Sequence, residues 1–176
     1  MPPLLGLCGS LRAPSFNRKL MVEAGRIWGG LEVADLRLPL YDGDAEVAEG
    51  IPEGVARLAS QIAAAPAVIV VTPEYNKAPS GVLKNALDWV SRVEGNPWAG
   101  KPVAIMSATG GRSGGERTQS VLRLMLQPFG PDLLQGPEVL VGQAQAQFDA
   151  DGRLINERNL AALKALMAAL RKRAEA

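Results

Sequence analysis

The chain of 176 residues contains no histidine and only one cysteine, and both shortages limit its chemistry. Without histidine, Ser-His and Cys-His catalysis are excluded, together with most zinc chemistry. One cysteine cannot form a disulfide framework. Cys8 follows the apolar residues Leu4, Leu5 and Leu7, so a buried small residue is favoured over a reactive thiol.

An excess of charge and a long hydrophobic run are also missing. The 19 basic residues nearly balance the 18 acidic ones, which leaves a formal net charge of +1. Nonspecific nucleic-acid binding requires a clustered basic field, so no nucleic-acid partner is expected. No apolar run is long enough to span a membrane, and the start of the chain lacks the pattern of a signal peptide. The sequence therefore predicts a cytoplasmic protein without a membrane partner.

What the chain has is a regular alternation of predicted strands and helices. Strands are predicted near 3–9, 31–36, 67–72, 102–108 and 138–142, and helices near 16–28, 52–65, 80–93, 116–128 and 156–173. This alternation predicts an α/β fold, a flavodoxin-like three-layer sandwich around a five-stranded parallel sheet of order 2-1-3-4-5. The length and the absence of a linker indicate a single domain over 1–176. Right-handed crossovers place the ends of strands one, three and four along one rim.

A proline-stiffened loop, 72–76, follows the third predicted strand. Pro73 and Pro79 fix the backbone on either side, so this loop is expected to be rigid. Tyr75 is interpreted either as an aromatic platform for a planar ligand or as a half-buried core tyrosine. Glu74 is either a ligand contact or a surface charge.

Two further loops end strands on the same rim. Loop 9–17 brings hydroxyl, amide and guanidinium groups to a helix N-terminus, a combination suited to a phosphate monoester: Ser10, Arg12, Ser15 and Asn17. The alternative is that Ser15 only caps the helix and Arg12 is a solvated charge. Loop 107–115 contains four glycines, which let backbone N–H groups approach a ligand, or it is a flexible connector.

The order and spacing of three motifs resemble the NADPH-dependent FMN reductase family, which includes bacterial quinone, chromate and azo-dye reductases. The motifs are Gly-Ser-Leu-Arg-x-x-Ser-x-Asn, Thr-Pro-Glu-Tyr-Asn followed by Pro-x-Gly-x-Leu-Lys-Asn-x-x-Asp-Trp, and the glycine-rich loop after strand four. The resemblance covers almost the whole chain. It implies that FMN is bound and that NADPH or NADH reduces it.

The resemblance also implies which residues bind the cofactor. Those matching the family's phosphate loop are Ser10, Arg12, Ser15 and Asn17. Those matching the loop that lines the isoalloxazine are Pro73, Glu74, Tyr75 and Asn76. Those matching the loop at the other edge of the ring are Ser107, Gly110 and Gly111, with Arg112 near the entrance. No side-chain catalyst and no metal are expected. Lys77 stands where some relatives carry an aromatic, which favours an anionic substrate or the phosphate of NADPH.

The implied reaction is ping-pong transfer of a hydride from NAD(P)H through FMN to a small-molecule electron acceptor such as a quinone. A homodimer or homotetramer is implied as well, and Arg117 and Glu138 are either partners between subunits or two surface charges. Two alternatives of other classes remain: a noncatalytic flavodoxin-type electron carrier, and a flavin redox sensor. A carrier of this kind tends to be strongly acidic, and a net charge of +1 disfavours it.

Overall fold

The structure is a computed structural model that describes residues 2–176. Six strands alternate with six helices along most of the chain. The strands are β1 (Leu4–Cys8), β2 (Leu31–Val33), β3 (Val68–Val71), β4 (Pro102–Ala108), β5 (Asp132–Leu133) and β6 (Leu140–Val141). The helices are α1 (Phe16–Trp28), α2 (Gly43–Glu49), α3 (Glu53–Ala64), α4 (Gly81–Val90), α5 (Glu116–Leu126) and α6 (Glu157–Ala174).

The sheet is parallel with the order β2-β1-β3-β4-β5, which confirms the predicted topology. The predicted number of strands is wrong by one, because the last position of the sheet is shared by two short strands. Val103 of β4 pairs with β5, and Ser107 further along β4 pairs with β6. Between them lies the Gly136–Pro137 pair. Proline cannot donate to a ladder, so one continuous strand does not form there.

Side-chain caps begin four of the helices. Ser15, Ser80 and Asn156 each accept a hydrogen bond from the backbone N–H three residues later. Helix α2 is not among the helices predicted from the sequence. Its signal is present in the sequence: Asp42 accepts from the N–H of Asp44, and acidic residues fill the first turn.

Two hydrophobic cores lie on opposite faces of the one sheet. Alternate residues of the central strands, such as Ile69 and Val71, pack against α1 and α6. Their neighbours Val68 and Val70 pack against α3, α4 and α5. Both faces of β1 and β3 are fully covered, which is the expected state of a parallel sheet in a three-layer sandwich. Among the described residues, no helix combines the length and hydrophobicity needed to cross a bilayer.

An ion pair on a buried carboxylate joins the segment before α6 to α1. Arg153 donates two hydrogen bonds, of 2.9 and 3.2 Å, to the carboxylate of Glu23, and Arg26 donates a third of 2.9 Å. Burial alone would raise the pKa of the Glu23 carboxyl. The hydrogen bonds from Arg153 and Arg26 outweigh burial and lower this pKa. These hydrogen bonds tie α1, the helix that follows loop 9–17, to the segment before α6.

Candidate functional site

Three loops begin at the same edge of the sheet, because backbone hydrogen bonds between neighbouring strands extend to the first residue of each loop. The N–H of Gly9 donates to the carbonyl of Val71 at 2.8 Å, and that of Thr72 donates to the carbonyl of Met106 at 3.2 Å. The N–H of Thr109 donates in turn to β6 at 2.9 Å. The loops 9–17, 72–80 and 109–115 therefore share one rim, as the topology predicts.

The first loop presents unpaired donors at the start of α1. Ser15 caps the helix by accepting from the N–H of Arg18 at 3.3 Å. Within the described chain, the N–H groups of Phe16 and Asn17 make no hydrogen bond, and neither does the exposed guanidinium of Arg12. A helix N-terminus with free N–H groups and a nearby guanidinium is suited to an anion.

Asn17 has a second task that the sequence did not predict. Its amide donates to the carbonyl of Ala108 at 2.8 Å and accepts from the N–H of Ala108 at 2.9 Å. The side chain is buried and joins the start of α1 to the end of β4. One amide hydrogen of Asn17 remains free of these two bonds.

The second loop is a two-residue β-hairpin. Tyr75 and Ala78 exchange both backbone hydrogen bonds, at 2.9 and 3.1 Å. Asn76 and Lys77 between them have φ of 52° and 67°, the conformation of a type I′ turn. Tyr75 is 49% exposed, so part of its ring is available on the rim, which favours the aromatic platform over a core tyrosine.

Glu74 connects this hairpin to the next loop. Its carboxylate accepts from the N–H of Thr118 at 3.2 Å, in the first turn of α5. The hydroxyl of Thr118 donates to the carbonyl of Pro73 at 3.3 Å. Helix α5 has glycine at its N-cap position, so Glu74 supplies the capping oxygen that Gly115 lacks.

The remainder of the long middle motif serves packing. Lys84 and Asp88 form an i,i+4 ion pair at 2.5 Å. Asn85 and Trp89 both donate to the carbonyl of Pro39, at 2.9 and 2.8 Å. This half of the motif holds the segment before α2 against α4.

The third loop exposes backbone donors between tightly packed ends. In the described structure the N–H groups of residues 110–113 make no hydrogen bond, and these residues are exposed. A Cβ on Gly114 would lie 2.5 Å from a backbone atom of Leu140, and one on Gly142 would lie 2.3 Å from the carbonyl oxygen of Arg112. These close approaches hold the ends of the loop, which favours the ligand-binding interpretation over a flexible connector.

Ser107 lies beneath this loop and is fully buried. Its hydroxyl donates to the carbonyl of Gly114 at 2.6 Å and accepts from the amide of Gln119 at 2.8 Å. The same amide nitrogen of Gln119 donates to the carbonyl of Val139 at 2.9 Å. The structure thus places Ser107 inside the protein, below the exposed backbone of Gly110 and Gly111.

The rim carries unpaired positive charge although the whole chain is nearly neutral. Arg12, Lys77 and Arg112 are exposed, and none forms an ion pair within residues 2–176. Glu74, the acidic residue of the second loop, is bound to the positive end of α5. Such a rim attracts anionic ligands.

The family profile described as NADPH-dependent FMN reductase matches residues 2–146. The chain belongs to this family. Membership confirms the prediction of an enzyme that oxidises NAD(P)H with FMN as its cofactor and passes electrons to small-molecule acceptors.

Relatives and a solved structure agree. An NAD(P)H-dependent FMN reductase of Pseudomonas aeruginosa is 45% identical over 159 residues, 88% of this chain and 85% of the relative. A quinone reductase of Escherichia coli is 41% identical over 160 residues, with the same coverage of 88% and 85%. The structure of a flavoenzyme NAD(P)H:(acceptor) oxidoreductase from Paracoccus denitrificans has a TM-score of 0.87 and 32% identity. That match covers 98% of this chain and 96% of the other.

The geometry of the rim fits FMN on two counts. The free N–H groups at the start of α1, with Arg12, are suited to the phosphate. The free N–H groups of 110–113 can meet the polar edge of a planar ring.

Three residues that organise the site were not predicted from the sequence. Ser80 caps α4 and its hydroxyl donates to the carbonyl of Gly9 at 2.5 Å, and its position just before a helical segment was the available signal. Thr118 and Gln119 act through contacts to residues 12 to 45 positions away. No local pattern indicates such contacts.

Proposed function

We propose that the chain carries electrons from NAD(P)H through FMN to a quinone or another small acceptor at the rim formed by loops 9–17, 72–80 and 109–115. The observation that supports this best is that two groups of backbone N–H donors, at the start of α1 and at 110–113, make no hydrogen bond in the described structure. Three exposed basic side chains, without ion pairs to any described residue, lie on the same rim. When bound, FMN supplies the hydride chemistry, so the protein has only to bind, orient and stabilise.

The first loop is proposed to hold the phosphate. The binding groups are the hydroxyls of Ser10 and Ser15, the guanidinium of Arg12, and the N–H groups at the start of α1 together with the amide of Asn17. Because Ser15 already caps the helix and Asn17 already binds β4, both hold the loop in shape while contributing to the site. Arg12 has no such second task, so its removal should affect only ligand binding.

The second and third loops are proposed to enclose the ring. Pro73, Glu74, Tyr75 and Asn76 line one side, and Gly110, Gly111 and Arg112 line the other, with Ser107 supporting them from below. With FMN bound, the preorganised N–H groups of 110–113 would donate to the edge of the ring and would stabilise negative charge there. Lys77, at the tip of the rigid hairpin, favours an anionic acceptor or the phosphates of NADPH.

We further propose that the chain acts as one domain, 1–176, in a homodimer or homotetramer in the cytoplasm. One sheet with a core on each face supports the single domain. Arg117 and Glu138 are both exposed and form no ion pair within the described chain, so they remain candidates for contacts between subunits. Sedimentation of the purified protein would decide between the two assemblies and a monomer.

An anaerobic visible spectrum of the purified protein, recorded before and after addition of NADPH, tests the function. We expect a flavin band that bleaches at once and returns when a benzoquinone is added. A band that persists with NADPH and NADH would favour the electron carrier or the redox sensor. A protein that binds no FMN after reconstitution would contradict the proposal.

Arg12→Ala tests the phosphate assignment. We expect FMN to bind roughly tenfold or more weakly, because a charge-assisted contact is worth about 1.5–3 kcal/mol. Riboflavin, which lacks the phosphate, should bind as it does to the unchanged protein. Arg57→Ala is the matched control, because Arg57 is an exposed arginine on α3, outside the three rim loops. Equal losses for FMN and riboflavin would contradict the assignment of Arg12.

A further inference from the structure

The first turn of α5 touches both loops that enclose the proposed ring site. Thr118 binds Pro73 and Glu74 of the second loop. Its neighbour Gln119 binds Ser107, which in turn binds Gly114 of the third loop. One helical turn therefore sets the distance between two loops that are about 35 residues apart in sequence, as residues 73–76 and 109–113 are.

In the buried amide of Gln119, only the nitrogen makes hydrogen bonds to described residues. Both hydrogens of its nitrogen are occupied, by Ser107 at 2.8 Å and by Val139 at 2.9 Å. Its carbonyl oxygen is buried and has no hydrogen-bond partner in the described structure. A buried acceptor without a partner lowers stability, so this side chain is a poor choice for stability alone.

The hydrogen bond that the Gln119 nitrogen donates to Ser107 affects the orientation of the Gly114 peptide in the third loop. Because Gln119 donates to the oxygen of Ser107, the hydroxyl hydrogen of Ser107 must point elsewhere, and it points to the carbonyl of Gly114. A trans peptide directs its C=O and N–H in opposite directions, so the Gly115 N–H is fixed as well. Gly114 and Gly115 both have positive φ, at 65° and 94°, and would otherwise be the most permissive part of the loop.

We propose that Gln119 is a positioning residue which, through Ser107 and Gly114, holds the N–H groups of 110–113 against the edge of the bound flavin. This inference rests on the proposed function of the rim. It assigns a role in tuning the flavin to a side chain that is buried.

Substitution by leucine separates this role from stability. In Gln119→Leu, the carbonyl of Val139 keeps its bond from the N–H of Ser107 at 3.2 Å. The hydroxyl of Ser107 still has the carbonyl of Gly114 as an acceptor, but it loses the donor that fixes its direction, so its hold on Gly114 loosens. No new buried group loses its last partner, and the unpartnered oxygen of Gln119 disappears. The thermal midpoint of the apo-protein should therefore change little or rise. Gln119→Met, with an unbranched side chain of similar length, is the second variant in case leucine packs poorly.

The decisive measurement is the midpoint potential of bound FMN, together with the affinities for oxidised FMN and riboflavin. We expect the affinity for reduced FMN to fall about tenfold more than that for oxidised FMN, and the potential to become more negative. Removing such a donor outright costs roughly 10²- to 10³-fold, so loosening it should cost less. Riboflavin and FMN should be affected alike, because the phosphate loop is untouched.

Two controls fix the interpretation. Ser120→Ala changes the same turn of α5 at an exposed hydroxyl outside the network and should leave potential and affinities unchanged. Gln119→Leu combined with Ser107→Ala should shift the midpoint potential no further than Ser107→Ala alone, because the effect passes through Ser107.

An unchanged potential in Gln119→Leu, or a lowered thermal midpoint without a change in potential, would overturn the inference while leaving the proposed function intact. Failure of the unchanged protein to bind flavin would overturn both.

Discussion

The two loops beside the proposed ring site are held in opposite ways. The hairpin 75–78 closes on itself, with two backbone hydrogen bonds between Tyr75 and Ala78. The loop 109–115 has only one weak internal bond, of 3.4 Å, and is held by β6 and α5 from outside. The hairpin should respond to changes in its own residues, whereas the loop 109–115 should respond to changes anywhere in its surroundings.

Gly114→Ala should break the externally held loop and have the largest effect. A side chain at this position must adopt φ of 65° and would place its Cβ 2.5 Å from the backbone of Leu140. The conformation costs roughly 1–2 kcal/mol and overpacking about as much again, so unfolding free energy should fall by about 3 kcal/mol. Urea unfolding of the apo-protein measures this loss.

Gly110→Ala is the matched control in the same loop. A Cβ there meets nothing closer than 3.8 Å, and this glycine does not have positive φ. Its unfolding free energy should stay within about 0.5 kcal/mol of the unchanged protein. Equal losses in the two variants would mean that the loop is not held by its contact with β6.

Glu74→Ala should loosen the connection between the two loops and have an intermediate effect. It removes the capping oxygen from the N–H of Thr118, and loss of such a cap costs about 1 kcal/mol. Hydrogen exchange at the Thr118 amide should accelerate, while exchange at the hairpin amides of Tyr75 and Ala78 should not. Glu74→Gln keeps an acceptor oxygen and should lose less. Equal acceleration at both places would show that the loops are not independently held.

The same contrast explains how much of the site could be predicted from sequence. Pro73 and Pro79 predicted a rigid second loop, and the glycines of 109–115 predicted exposed N–H groups, because both signals are local. The restraints on the third loop come from Leu140, Gly142 and Gln119, whose partners are distant in sequence. The division of the last strand into β5 and β6 was unpredictable for a related reason, since each is only two residues long and is defined by pairing with β4.

Residues that serve two roles also limited how well the site could be predicted from the sequence. The amide of Asn17 and the carboxylate of Glu74 were predicted to bind the cofactor from their place in the motifs. The structure shows each bound to another element, β4 and α5 respectively, so the motif also encodes how the loops are joined. A family motif does not distinguish a residue that touches a ligand from one that holds the loop, and their cofactor contacts stay predictions.

Lys77→Gly should raise the free energy of unfolding slightly, whereas the variants above lower it or leave it unchanged. Lys77 has φ of 67° in the type I′ turn, where an L side chain is strained and glycine is not. The relief is partly offset by the entropy of glycine in the unfolded chain, so we expect a gain of about 0.5 kcal/mol. Lys77→Ala removes the same charge without the relief and should not stabilise. If Lys77 attracts the phosphates of NADPH, both variants should raise the KM for NADPH alike, although only one of them is more stable. A rise in KM for the glycine variant alone would instead mean that the shape of the hairpin, and not the charge at its tip, governs access to the rim.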